Sequence, residues 1–191
     1  MRPPGSRVGR YTSRMQPSLV PNVRIKLVPV PVEHLAALAR GEVPADIAPC
    51  GFSDGLPPPH VAQRMQRYIE AGKPATWVSG YYVLDAGGCC VGGCGFKDVP
   101  RAREVEIGYA IATAQHGRGF ASAAVADLLQ LAAASREVDT VIALIAEDNL
   151  ASQSVARRNG FVAGERVLDE DGEWVLCFRH VLCAGARSAR W

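Results

Sequence analysis

The chain has 191 residues, 48% of them hydrophobic and 21% charged, with a net charge of +2, which is the make-up of one ordinary globular domain with a proper core. Six basic residues (Arg2, Arg7, Arg10, Arg14, Arg24, Lys26) fall in residues 1–26, which hold no acid, so the remainder is net −4. That mildly acidic balance argues against a nucleic-acid partner, and no apolar run approaches the ~18–20 residues of a membrane span.

Residues 1–21, basic and rich in Pro, Gly and Ser, read as a disordered leader without the apolar segment of a secretory signal; the composition also fits an organelle transit peptide. A single domain is expected over 22–183, with a short tail at 184–191. "VRIKLVPVP" (23–31) alternates apolar and basic residues as a first strand that its prolines terminate. "VEHLAALAR" (32–40) is a short helix stopped by Gly41. Residues 43–59 are Pro/Gly-rich and irregular, and Pro59 opens a helix with Val61, Met65, Tyr68 and Ile69 on one stripe. "TWVSGYYVL" (76–84) and "CCVGGCGFK" (89–97) flank a turn, Asp85–Gly88, as a hairpin.

"EVEIGYAIA" (104–112) is the next strand. Residues 120–135 form an Ala/Leu helix, and the uniformly apolar "TVIALIAE" (140–147) reads as a strand buried on both faces beside a parallel neighbour. "NLASQSVARRNG" (149–160) is a helix closed by Gly160, and two further strands make a final hairpin around Asp169–Gly172. The order β-α-α-β-β-β-α-β-α-β-β predicts a mixed, mostly antiparallel α/β (α+β) sheet with a central β-α-β crossover.

The stretch "ATAQHGRGFAS" (112–122) sits where a strand feeds a helix. Free N–H groups and the positive end of the helix dipole favour an anion there, and Gly117 and Gly119 let the backbone approach it. The same glycines also suit a plain tight turn. A nucleotide P-loop would need Gly-Lys-Ser/Thr, which is absent. A dinucleotide fold would need a third glycine where Ser122 stands, and an opening β-α-β unit.

Taken with its surroundings, the stretch resembles the GNAT superfamily of acetyl-CoA-dependent N-acyltransferases, in particular the branch of ribosomal-protein N-terminal acetyltransferases. The pieces that carry the resemblance are "GCGFKD", "VEIGYAI", "QHGRGFASAAVADLL", "TVIALIAEDN" and "NLASQSVARRNGF", about a third of the chain in the family's order. The family's loop often begins with Gln or Arg two residues before its x-Gly pair; here Ala114 holds that place and Gln115 lies one residue late.

The resemblance implies acetyl-CoA as co-substrate and transfer of its acetyl group directly to a primary amine, either a protein N-terminus or a small-molecule amine. It implies pyrophosphate on the backbone of Gly117, Arg118, Gly119, Phe120, Ala121 and Ser122, with Arg118 either a charged contact or simply solvated. The pantetheine arm would lie between splayed strands 104–112 and 140–147, bonded to backbone that includes Ile111 and Ala112. Asn149 serves as helix cap, as cofactor ligand, or both.

A substrate ammonium near pKa 10 needs a base before it can attack a thioester. Glu106 is the first candidate and Glu104, on the same strand face, the second. Both also suit a merely solvated face. The tyrosine that many relatives place four residues before the Gly of the "GF" pair is Ala156 here. Ser152 is therefore the candidate acid, and Tyr109 a weaker one. His60, Trp77 and Tyr82, with Asp169, Glu170 and Asp171, are candidates to line an acceptor pocket. The alternative is a non-catalytic acyl-CoA-binding or regulatory domain of the same fold, which the missing tyrosine favours.

Cys89, Cys90 and Cys94 fit no zinc spacing and read as strand residues, so no metal is expected. With Cys50, Cys177 and Cys183 they are expected to be reduced thiols in a cytoplasm. No membrane or nucleic-acid partner is expected, and the resemblance leaves a homodimer open.

Overall fold

The computed structural model describes residues 23–47 and 53–182. The leader, the tail, Cys50 and Cys183 lie outside these residues. The elements are β1 (Lys26–Pro29), α1 (Val32–Ala39), α2 (Pro59–Glu70), α3 (Ala75–Val78), β2 (Gly80–Leu84), β3 (Cys90–Phe96), β4 (Glu104–Ile111), α4 (Phe120–Ser135), β5 (Thr140–Ala146), α5 (Leu150–Arg158), β6 (Val162–Leu168) and β7 (Trp174–Val181), with 3-10 turns at Ser53–Gly55 and Thr113–Gln115. They build one seven-stranded sheet of order β1-β2-β3-β4-β5-β7-β6. Every neighbouring pair is antiparallel except β4 and β5.

Two expectations need correction. Thr76, Trp77 and Val78 are helical, in α3, and the strand begins only at Gly80. Trp77 and Val78 are core residues, so an apolar run of strand-like composition packs as a helical turn instead. β5 is not uniformly buried: fully and partly buried residues alternate along it. It has a parallel neighbour, β4, on one side, but β7 on the other.

Alternation along the strands supplies two cores, one on each face. Tyr82 and Cys90 join Leu35, Leu38, Ala62 and Met65 beneath α1 and α2. Val83 and Val91 join Phe120, Val125 and Leu128 beneath α4. Residues 120, 124, 128 and 132 of α4 are all buried, one residue every four, which sets that stripe on the sheet. Removing Leu128 down to Ala would cost about 2–5 kcal/mol.

Candidate active site

β4 and β5 pair at only three rungs: Glu104 with Thr140, Val105 with Val141, and Glu106 with Ile142. Beyond Glu106, β4 remains paired to β3 through Ile111 but is no longer paired to β5. Lys97 N donates to Glu106 O and Ala112 N to Val91 O, so the even-numbered residues of β4 bond to β3. Alternation then turns the main-chain groups of Ile107, Tyr109 and Ile111 toward the gap. The carbonyl of Ile111 meets His116 Nε2 at 2.8 Å. The gap has amide donors and acceptors on its β4 side, as an extended ligand would require.

A cleft of about 410 Å³ opens beside this gap. It is bounded by α2, by β3 and β4, and by the turn Asp169–Asp171 between β6 and β7. Glu106 and Tyr109 line it. Glu106 Oε1 is shut off from solvent and forms an ion pair with Lys97 Nζ. Glu104, two residues earlier on the same face, is not among the lining residues; its carboxylate accepts a hydrogen bond from Arg179 of β7. The two candidate bases are thus separated: Glu106 faces the cleft and Glu104 is committed to an ion pair outside it.

Tyr109 donates its hydroxyl to the carbonyl of Ser152 at 3.1 Å, linking β4 to the start of α5. Burial pushes its phenol up to about 12, only partly offset by that hydrogen bond, so it is a proton carrier at neutral pH. Ser152 lies in the first turn of α5 and does not line the cleft. Asn149 caps that helix, its Oδ1 accepting from Ser152 N at 3.0 Å. Cys94 also lines the cleft, but burial, aided by the nearby Asp127 carboxylate, pushes its thiol up to about 12, which leaves it a poor nucleophile.

The loop after β4 leads into α4. Gly119 is the N-cap residue, with φ +89°, a conformation that costs other L-residues about 1–2 kcal/mol. The first main-chain bond of α4 runs from Ala123 N to Gly119 O. The N–H groups of Phe120, Ala121 and Ser122 therefore have no helical acceptor, and no acid stands in the first turn. A Cβ on Gly117 would meet nothing within 4 Å, so the backbone there is open to an approaching group. Phe120 and Ser122 are buried and contribute by their main chain. The Arg118 guanidinium donates to Gln115 Oε1 and lies 5.2 Å from the Phe120 ring centre. Arg118 is exposed, with these two contacts inside the loop.

One contributor has no signal in the sequence. Asp54, in the 3-10 turn before α2, accepts the N–H of Thr113 at 2.8 Å. This bond ties the segment ahead of the cleft to the start of the loop. The Thr113 backbone bond, aided by the Thr113 side chain, holds the Asp54 carboxyl below its usual range. Among the other candidate lining residues, His60 and Asp169–Asp171 reach the cleft. Trp77 and Tyr82 do not. Trp77 packs edge-on to Phe96 at 4.8 Å, and Tyr82 is buried with its hydroxyl 3.1 Å from His34 Nδ1.

The sequence matches the model of the Acetyltransferase (GNAT) domain over residues 24–162. The chain belongs to the GNAT family of acetyltransferases. Solved GNAT structures share its architecture. RimL, a ribosomal L7/L12 alpha-N-protein acetyltransferase in complex with coenzyme A, is 18% identical with a TM-score of 0.61, over 86% of this chain and 97% of that one. The aminoglycoside acetyltransferase AAC(6')-Ib in complex with coenzyme A is 16% identical with a TM-score of 0.63, over 86% and 99%. Spermidine N-acetyltransferase from Vibrio cholerae, in complex with CoA and spermine, is 15% identical with a TM-score of 0.60, over 83% and 95%. None of the curated proteins matches the sequence significantly. In this GNAT domain the mixed sheet, the gap between β4 and β5 and the bare N-terminus of α4 lie in the order read from the sequence. No helix among the described residues is long and apolar enough to cross a membrane.

Proposed function

We propose that the protein transfers an acetyl group from acetyl-CoA directly to a primary amine. The observation that carries this reading is the end of β4–β5 pairing at Glu106 and Ile142, which sets an open strand edge, a carboxylate and a cleft side by side. The residues present fit coenzyme A. The unsatisfied N–H groups at 120–122 and the open approach at Gly117 suit its pyrophosphate, with Arg118 and Gly119 completing the loop. The free edge of β4 through Ile111, continued at Ala112, suits its amide-bearing arm. When bound, the coenzyme supplies an acetyl group activated as a thioester. Asn149, whose Oδ1 already caps α5, would be a second contact for the coenzyme from the start of that helix.

Glu106 is the base. It accepts the proton of the incoming ammonium once Lys97 yields its place, and its position on a strand fixes it at the cleft wall. Main-chain N–H groups on the free edge of β4 are donors for charge that develops on a carbonyl oxygen. Tyr109, which lines the cleft and holds its proton, is better placed than Ser152 to protonate a departing group. With the Cys94 thiol protonated, no covalent enzyme intermediate is needed.

Thioester turnover with a panel of amines tests this reading, in the wild type and in Glu106→Gln. Acetyl-CoA-dependent acetylation of at least one amine, lost in Glu106→Gln, is expected. Binding of acetyl-CoA with no turnover on any amine would instead establish a non-catalytic acyl-CoA-binding domain. No binding of coenzyme A would overturn both.

A further inference from the structure

The charges that line the cleft are sorted. His60, Arg64 and Arg67 occupy one stripe of α2 at i, i+4 and i+7, and all three line the cleft. The acidic turn Asp169–Asp171, from a different element, lines the same cleft. The guanidinium groups of Arg64 and Arg67 make no hydrogen bond or ion pair among the described residues, whereas those of Arg40, Arg101, Arg103, Arg166 and Arg179 are each matched by a carboxylate of the chain. Two guanidinium groups at the cleft with no ion-pair partner in the chain leave their donor forks for something the cleft receives.

The other charges sharpen this. Glu106 is already answered by Lys97, so it adds no net negative field on the α2 side. Asp169 is used by its own turn, its Oδ1 accepting from Asp171 N at 3.0 Å and Glu173 N at 2.8 Å. Glu170 and Asp171 remain as the free acids, on the turn between β6 and β7. A polycation would enter with part of its charge against Arg64 and Arg67, an unfavourable like-charge juxtaposition. A molecule with one positive and one negative end is matched at both.

We infer that the acceptor is a primary amine that also carries a carboxylate, its amine directed to Glu106 and the acidic turn and its carboxylate to Arg64 and Arg67. The inference rests on the transferase reading above and adds the substrate class to it. Two sources supply that chemistry: a free acidic amino acid, or a peptide N-terminus followed by an acidic residue.

The test uses the full chain loaded with coenzyme A for binding, and with acetyl-CoA for turnover. The probes are free glutamate, spermidine and three C-terminally amidated peptides, Ala-Glu, Ala-Gln and Ala-Lys, in which only the Glu side chain supplies a carboxylate. The Ala-Glu peptide or glutamate is expected to exceed the neutral Ala-Gln peptide roughly ten- to hundredfold in affinity or kcat/KM, the range for a charge-assisted hydrogen bond. Whichever of the two leads identifies the source. The Arg64→Gln/Arg67→Gln double variant should bring the Glu-to-Gln ratio close to one, and Arg64→Lys/Arg67→Lys should restore part of it.

Preference for spermidine or Ala-Lys, a ratio that survives in the double Gln variant, or no binding of any probe would overturn the inference. Turnover without carboxylate preference overturns it while leaving the transferase reading intact. Carboxylate-selective binding without turnover of any probe does the reverse. Circular dichroism on both double variants separates loss of selectivity from loss of fold.

Discussion

Glu106 faces Ile142 across the last rung that joins β4 to β5. The same residue that stands at the last rung of the parallel ladder carries the carboxylate that lines the cleft. Opening of the sheet and placement of the base are thus set at one position, on a strand that β3 still holds on its other side. The Glu106→Gln variant keeps the shape and removes the base. Its kcat should fall about 10²- to 10⁴-fold with little change in the KM for acetyl-CoA, because the coenzyme loop is untouched. Steady-state kinetics with a saturating amine checks this; a fall of less than about fivefold removes Glu106 from the mechanism.

Tyr109 and Ser152 share one hydrogen bond, but only Tyr109 lines the cleft. Tyr109→Phe should lower kcat by roughly tenfold or more, while Ser152→Ala stays within about twofold, since the Ser152 group in that bond is its main-chain carbonyl. The phenol is pushed up to about 12 by burial, above the ~10 of an unfolded tyrosine. Its folded-state preference for the neutral form therefore stabilises the protein below pH ~10 and is lost as pH rises from there through about 12. Urea melts across that interval should show a steeper loss for the wild type than for Tyr109→Phe. Parallel curves would show that the phenol contributes nothing to alkaline unfolding.

Gly119 has φ +89°, and its loop presents bare main chain to an anion. Gly119→Ala should cost about 1–2 kcal/mol from backbone strain, which lowers Tm by a few degrees in a chain of this size. Coenzyme A affinity should fall further than that strain alone explains if the strained turn also shifts the main-chain N–H groups that follow it. Calorimetric titration with coenzyme A and a thermal melt separate the two effects. Affinity equal to that of the wild type would show that the loop does not hold the pyrophosphate.

Asp54 braces the start of the loop through Thr113 N, and that bond holds its carboxyl below the usual value of 3.8. A carboxyl with a lowered folded-state pKa lends stability above its unfolded value and loses it as pH falls through the folded one. The difference in stability between the wild type and Asp54→Ala should be constant near neutrality and shrink once pH drops below 3.8. Denaturant midpoints at several pH values report this. A difference that does not change down to pH ~2 would show that the brace is not the ionised carboxylate.

The elements that lie within one periodic segment were legible in the chain itself. The helix 120–135, the strands around 104–112 and 140–147, and the cap at Asn149 are specified by neighbours in sequence, through hydrophobic period, glycine conformation and cap chemistry. Placement of the glycine loop between strand and helix was legible for the same reason. Trp77 was not: strand-like composition left its backbone undecided, and burial against Phe96 selected a helical turn. The separation of Glu104 from Glu106 was equally out of reach, because it depends on Arg179, 75 residues away in the chain. The brace from Asp54 to Thr113 spans 59 residues, and no local pattern records such a pairing.

Residues 76–78 apart, the sequence by itself determined which segments are helices and strands, where the bare glycine loop falls, and which family pattern they compose, since these follow from short-range sterics and periodicity. The tertiary structure alone decided where β4 and β5 part, which carboxylate faces the cleft, that Tyr109 rather than Ser152 borders it, and that Arg64 and Arg67 share it with an acidic turn. Those features depend on contacts between residues far apart in the chain, which form only when the sheet and its helices close around one another.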